Sequence, residues 1–190
     1  MDYPAVFTKL VDGIIGKEGH YSNDPADSGG ATCWGITQAE ARAFGYEGDM
    51  QNMPRDDAVS CYWKQYWVQP MLDQLAEIDS GIAGKLLDIG VNCGSATAGK
   101  FLQRALNVLG NMGKSYPVLT VDGACGGMTR AALRKYIALR GQDGRKVLLG
   151  MIISLQSVYY IDIAETRPSQ DVFEFGWQLQ RAVGTAFSGA

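Results

Sequence analysis

Lys17-Glu18-Gly19-His20-Tyr21-Ser22-Asn23-Asp24-Pro25-Ala26-Asp27-Ser28-Gly29-Gly30-Ala31-Thr32-Cys33-Trp34-Gly35-Ile36-Thr37 marks the point where the chain passes from helical periodicity to loop chemistry. Just before it, Phe7, Leu10, Val11, Ile14 and Ile15 recur at the spacing of an amphipathic helix, and the same face continues to position 18. A carboxylate therefore stands at the end of an apolar stripe. Gly19 reads as a helix stop, and residues 21–34 are rich in turn formers. Burial raises the pKa of a carboxyl group, which suits a general acid working near neutral pH. The plainer alternative is a helix-end glutamate reaching solvent.

On the C-terminal side, Thr37-Gln38-Ala39-Glu40 has the pattern of a capping box that starts a short helix ending near Gly45. Asn52 and Pro54 open a helix whose Val59, Tyr62, Trp63, Tyr66 and Trp67 share one side, closed by Pro70, and that spacing predicts core. Ile82, Leu86, Ile89 and Cys93 trace another helical face. Ser95 is expected to cap the next helix, in which Phe101, Leu102, Ala105, Leu106 and Leu109 form a stripe before Gly110. Residues 110–128 read as loop, Thr129 as the cap of a helix ending at Gly141, and Val147 to Ile163 as a central buried helix. Only the interval from Tyr21 to Ile36 suits a small hairpin, so the expected class is mainly α.

At 190 residues the chain can bury one substantial core, or a core with a small appended lobe. No run approaches a membrane span in this reading, and Met1-Asp2-Tyr3-Pro4-Ala5-Val6-Phe7 lacks the order of a signal peptide, so synthesis in the cytoplasm and no membrane insertion are expected. Net charge is −3 but unevenly placed: residues 1–79 carry thirteen acids and five bases, residues 80–190 seven acids and twelve bases. The bases concentrate between Lys100 and Lys146. No recognised nucleic-acid motif accompanies them, so nucleic acid is not expected as a partner. They make either a solvated surface or a face for an anionic ligand. Cys33, Cys61, Cys93 and Cys125 have no Cys-x-x-Cys spacing, so no metal site is expected and free thiols are favoured. Cys33 stands out, lying between Thr32 and Trp34.

The order Glu18, Asp27, Thr32 resembles the E-x8-D-x(4 or 5)-T arrangement of phage-type lysozymes. The longer run from Lys17 to Thr37 is similar to the signature of glycoside hydrolase family 108, a group of N-acetylmuramidases that includes phage endolysins and secretion-activator proteins. His20 replaces that signature's second glycine and sets an imidazole beside the acid. Further on, Phe101-Leu102-Gln103-Arg104-Ala105-Leu106-Asn107, then Val121-Asp122-Gly123, then Gly126 to Leu133 resemble the peptidoglycan-binding helical repeat that accompanies this family, with Gly127 where proline is usual. Arg167-Pro168, Phe173, Gly176-Trp177 and Arg181 resemble the family's closing segment. The matches run from about residue 7 to residue 182.

The resemblance implies a lysozyme-like helical bundle with a small β-hairpin at the active-site cleft, a muramidase catalytic lobe over residues 1–95, and a peptidoglycan-binding-like helical region over residues 96–184 packed into the same compact unit. It implies cleavage of the β-1,4 bond between N-acetylmuramic acid and N-acetylglucosamine, with Glu18 as general acid. Asp27 would stay ionised in its polar loop, orienting water or stabilising the oxocarbenium-like transition state, and Thr32 would help hold that water. Asp24 is the substitute for Asp27. Tyr21, Asn23, Trp34 and Asn92 are candidate substrate-binding residues. Trp34 serves equally as a hydrophobic pin for the hairpin, and Asn92 as an amide bonded to backbone. No cofactor is expected, and the chain is expected to act as a monomer. The partners are peptidoglycan glycan strands, with a holin or a secretion apparatus giving access to the periplasmic wall. The rivals are a wall-binding or secretion-accessory protein without catalysis, a lytic transglycosylase, and a chitin-cleaving enzyme.

Overall fold

The computed structural model describes residues 2–16, 21–23, 30–167 and 171–183. It is mainly helical with one small antiparallel sheet, as the resemblance implied. The described chain divides into two compact units, residues 1–87 and residues 88–190.

In the first unit, helix α1 (Ala5–Ile15) buries Phe7, Val11 and Ile15. Strands β1 (Tyr21–Ser22), β2 (Thr32–Cys33) and β3 (Ile36–Thr37) pair in that order, all antiparallel. Helix α2 (Gln38–Ala43) follows β3 directly. Its capping box is formed: the Thr37 hydroxyl accepts from the Glu40 N–H, and the Glu40 carboxylate accepts from the Thr37 N–H at 2.9 Å. Gly45 ends this segment with φ 93°, a left-handed conformation that a glycine adopts without strain.

A 3-10 turn (Met50–Asn52) leads to α3 (Arg55–Tyr62), which passes into a π-helical turn at Trp63–Val68. The π-turn closes with the Gln69 N–H donating to the Lys64 carbonyl, five residues back. Sequence periodicity missed this, because one extra residue in a turn leaves the apolar spacing almost unchanged. The aromatic stripe is core as expected. Trp67 and Tyr62 are fully buried, and Phe7 meets the rings of Trp63 at 5.0 Å and Trp67 at 5.7 Å, both edge to face. After Pro70, Met71 takes φ 61° and starts the short α4 (Leu72–Ala76), an element the sequence reading did not assign. Asp79 then caps α5 (Ser80–Cys93), its buried carboxylate accepting from the Ile82 N–H at 2.9 Å.

In the second unit, α6 (Ser95–Leu109) begins after Gly94, whose φ of 89° makes the corner. Ser95 is thus the first helical residue and not the cap. Helix α7 (Gly127–Thr166) likewise starts after Gly126, so Thr129 sits inside its first turn. Its hydroxyl bonds elsewhere, donating to the Ala124 carbonyl at 3.0 Å and accepting from Gln103. A tertiary contact has taken over the group that a local reading assigns to capping. Gly141, with φ 58° and ψ −144°, breaks α7 into two limbs where a helix end was expected.

The second limb is not buried all round. Leu148, Ile152, Gln156 and Tyr160 face inward, whereas Val147, Val158 and Ile161 are exposed. Its apolar 18-residue window reaches a mean hydropathy of 1.7, and only 22% of it is buried. That corrects the reading that no run approaches a membrane span: by length and composition alone, α7 is long and apolar enough to cross one. Helix α8 (Asp171–Arg181) packs on α7 through Trp177, whose ring lies 5.3 Å from that of Tyr160, and through Gln178, which exchanges hydrogen bonds with Ser157. The opposite side of α8 exposes Val172, Phe175 and Leu179.

Candidate active site

Glu18, Asp27, Asp24 and His20 lie outside the described residues. The described frame is the sheet on which the rest of the signature is mounted. Antiparallel register sets Ser22 opposite Thr32 and Thr32 opposite Thr37, while Tyr21 stands opposite Cys33 and Cys33 opposite Ile36. Residues directly opposite one another point to the same face, so three hydroxyls line one face and Cys33 and Ile36 turn to the core. Thr32 is half-buried, and its hydroxyl donates to the Gly30 carbonyl at 3.4 Å. Thr37 donates its hydroxyl to Glu40. Ser22 and Thr32 complete the row, and Ser22 is a polar neighbour that a reading by loop composition passed over.

Tyr21 and Asn23 are exposed. Trp34 is half-buried and occupies a two-residue turn with Gly35, with φ of 54° and 75° respectively. Positive φ at both central residues is the hairpin geometry that matches strand twist, and tryptophan adopts it only when held. The hold is visible: the indole N–H donates to the Met53 carbonyl at 2.8 Å, and the Tyr62 hydroxyl donates to the Trp34 carbonyl at 3.2 Å. The ring therefore pins the hairpin while part of it stays open to solvent. Asn92 belongs to the other compact unit, on α5, where its amide donates to the Asp88 carbonyl at 2.6 Å.

Behind the sheet, Glu40 accepts from both Thr37 groups, from Gln65 at 2.9 Å and from the Tyr66 hydroxyl at 3.3 Å. Burial alone would raise its pKa, but these hydrogen bonds outweigh it, and the carboxyl stays below its ordinary value. The Tyr66 phenol is pushed up to about 12 by burial and by the facing Glu40 charge. None of the four cysteines forms a disulfide among the described residues, and the Cys33 thiol is pushed up by burial, so it is protonated near neutral pH.

In the second unit the Asp122-Gly123…Thr129 motif builds a structural joint. The Gln103 amide donates to the Asp122 carboxylate at 2.8 Å, to the Ala124 carbonyl and to the Thr129 hydroxyl, and its oxygen accepts from the Gly123 N–H. These hydrogen bonds from Gln103 and Ala124 hold the Asp122 carboxyl below its ordinary value. Glycine is required on both sides, because a Cβ on Gly99 would lie 1.9 Å from the Gly123 carbonyl oxygen.

The described residues form a mainly helical protein with a small antiparallel sheet, consistent with a lysozyme-like fold, and a family match places the chain in the class of glycoside hydrolases. Residues 11–94 match the family described as Glycosyl hydrolase 108, and residues 97–183 match the one described as Predicted Peptidoglycan domain. The chain thus carries a glycosyl hydrolase 108 domain, of a family of peptidoglycan hydrolases, followed by a peptidoglycan-binding-like domain. The solved structure of SagA from Brucella abortus has the same fold, with a TM-score of 0.65 at 24% identity over 97% of this chain and 98% of that one. No curated protein matches the chain.

Proposed function

We propose that the chain is an N-acetylmuramidase that cleaves the β-1,4 bond between N-acetylmuramic acid and N-acetylglucosamine, made in the cytoplasm and acting on the periplasmic wall as an endolysin. The observation that carries this is the match of residues 11–94 to glycosyl hydrolase 108, because that span contains the whole signature from Glu18 to Thr37. Glu18 gives its proton to the departing glycosidic oxygen. Asp27, ionised, offsets the positive character that develops at the anomeric carbon or orients the attacking water. Thr32 has its hydroxyl on the open row with Ser22 and supports that water. Tyr21, Asn23 and Trp34 contact sugar around it. The adjoining peptidoglycan domain favours wall glycan over chitin as the substrate.

The test is mass spectrometry of products from purified peptidoglycan treated with the parent protein and with Glu18→Gln. Reducing muropeptides ending in N-acetylmuramic acid are expected from the parent, with the rate falling at least about a hundredfold in the variant, as loss of a general acid typically costs. Products lighter by one water would make the enzyme a lytic transglycosylase. A Glu18→Gln protein as fast as the parent would remove Glu18 from its role.

A further inference from the structure

The Gly141 break in α7 opens a groove inside the peptidoglycan domain, between the end of α6 and the two limbs of α7. It holds about 560 Å³ and continues past Leu109, Tyr136, Leu139 and Arg140 into a second hollow of about 250 Å³. Val108, Leu139 and Val147 line it with aliphatic surface although each is at least half exposed. Such side chains gathered around one concavity mark a binding surface and not scattered surface residues. Two charges of opposite sign, Arg140 and Asp143, share the same wall. Arg140 is closely seated: a Cβ on Gly144 would lie 2.2 Å from the Arg140 Cβ, so glycine at 144 is what lets the arginine stem lie there. The Tyr136 hydroxyl, which donates to the Gly144 carbonyl at 2.9 Å, fixes the second limb against the first.

We propose that this groove binds the peptide stems of peptidoglycan, with Arg140 receiving a stem carboxylate and the aliphatic wall receiving alanine methyl groups. This rests on the reading of peptidoglycan as the substrate, and it says which part of that polymer the second domain holds. The glycan is neutral and hydroxyl-rich apart from its lactyl groups, all of which carry stems where the wall is fully substituted. A stem of alanine, γ-linked glutamate and a diamino acid instead combines small apolar side chains, several carboxylates and one ammonium, with negative net charge. The groove offers the complement of each in turn: aliphatic surface, a guanidinium and a carboxylate, in a matched span with eleven bases against six acids. A planar guanidinium grips a carboxylate with two parallel hydrogen bonds, which a lysine in the same place would not do.

The experiment is calorimetric titration of the full chain with the synthetic tetrapeptide L-Ala-γ-D-Glu-meso-diaminopimelate-D-Ala, compared with a stem-free N-acetylglucosamine and N-acetylmuramic acid oligomer. Arg140→Gln, Leu139→Gln and the distant control Lys9→Gln run in parallel, with thermal melts to show that each is folded. The parent is expected to bind the peptide at one site, Arg140→Gln and Leu139→Gln to weaken it by about tenfold, and Lys9→Gln to match the parent. Parent protein that fails to bind the peptide, or equal losses in Arg140→Gln and Lys9→Gln, overturns the groove. Release of muropeptides from sacculi by the same parent preparation separates the two failures. Products without peptide binding refute the groove alone, and neither products nor sacculus binding refutes the peptidoglycan reading beneath it.

Discussion

Glu40 shows how a single carboxylate fixes the sheet that carries the site. Its two oxygens accept from four donors drawn from β3, α2's cap and the π-turn. All four are donors, so an amide there would set its own N–H groups against them. Glu40→Gln is expected to destabilise the protein by about 1–3 kcal/mol, the usual cost of leaving buried donors unsatisfied, as read by urea unfolding. The pH dependence has a definite sign. The folded pKa lies below the ordinary value of 4.5, so the carboxylate's contribution is fully present above that value and is lost as pH falls through the lower, folded pKa. Parent stability should therefore decline more steeply on acidification than that of Glu40→Gln, and parallel curves would show that Glu40 is not the group responsible.

At the same scale, the proposed division of labour makes Asp27→Ala severely impaired in muropeptide release and Asp24→Ala milder, with the reverse order reassigning the second carboxylate. The capping-box pair Thr37 and Glu40 was legible because its partners lie three residues apart and their bonds are local. What no local pattern conveyed is that Gln65 and Tyr66 return to the same carboxylate from 25 and 26 residues away.

Among the elements, helices were legible wherever apolar residues recur over two turns or more, as in α1, α5 and α6. Their starts were misread where a hydroxyl near the N-terminus has a tertiary partner, as Thr129 has in Gln103. The short α4 and the π-turn left too little periodicity to read, and α8 was hidden in a segment noticed for its motif residues and not its spacing. Two glycines test how these elements are held. Gly99 packs α6 against the 121–124 turn with no room for a methyl group, so Gly99→Ala should cost on the order of 3 kcal/mol through overpacking. Gly141 differs: nothing lies within 4 Å of the position a Cβ would take, and only its backbone conformation excludes other residues. Gly141→Ala should thus cost about 1–3 kcal/mol of backbone strain while leaving side-chain packing intact. It should also weaken stem-peptide binding if the break shapes the groove, and unchanged melting of Gly141→Ala would show that the limbs need no break.

Across the whole molecule, the charge asymmetry visible in the sequence coincides with the two domains. The first 79 residues carry an excess of eight acids and the remainder an excess of five bases, so a basic peptidoglycan domain follows an acidic hydrolase domain. Peptidoglycan stems are anionic, and a basic surface concentrates such a polymer through a long-range field that salt screens. Proton transfer at a glycosidic bond, by contrast, is a contact event within one cleft and depends little on screening. Raising salt from about 0.1 M to about 1 M shortens the screening length from about 10 Å to about 3 Å. Over that range, retention of the Glu18→Gln protein on sacculi should fall steeply, while turnover by the parent on short soluble glycan fragments should change little. If both decline together, salt acts on the catalytic domain itself. If neither changes, wall retention rests on short-range contacts, and the basic residues between Lys100 and Lys146 serve as an ordinary solvated surface.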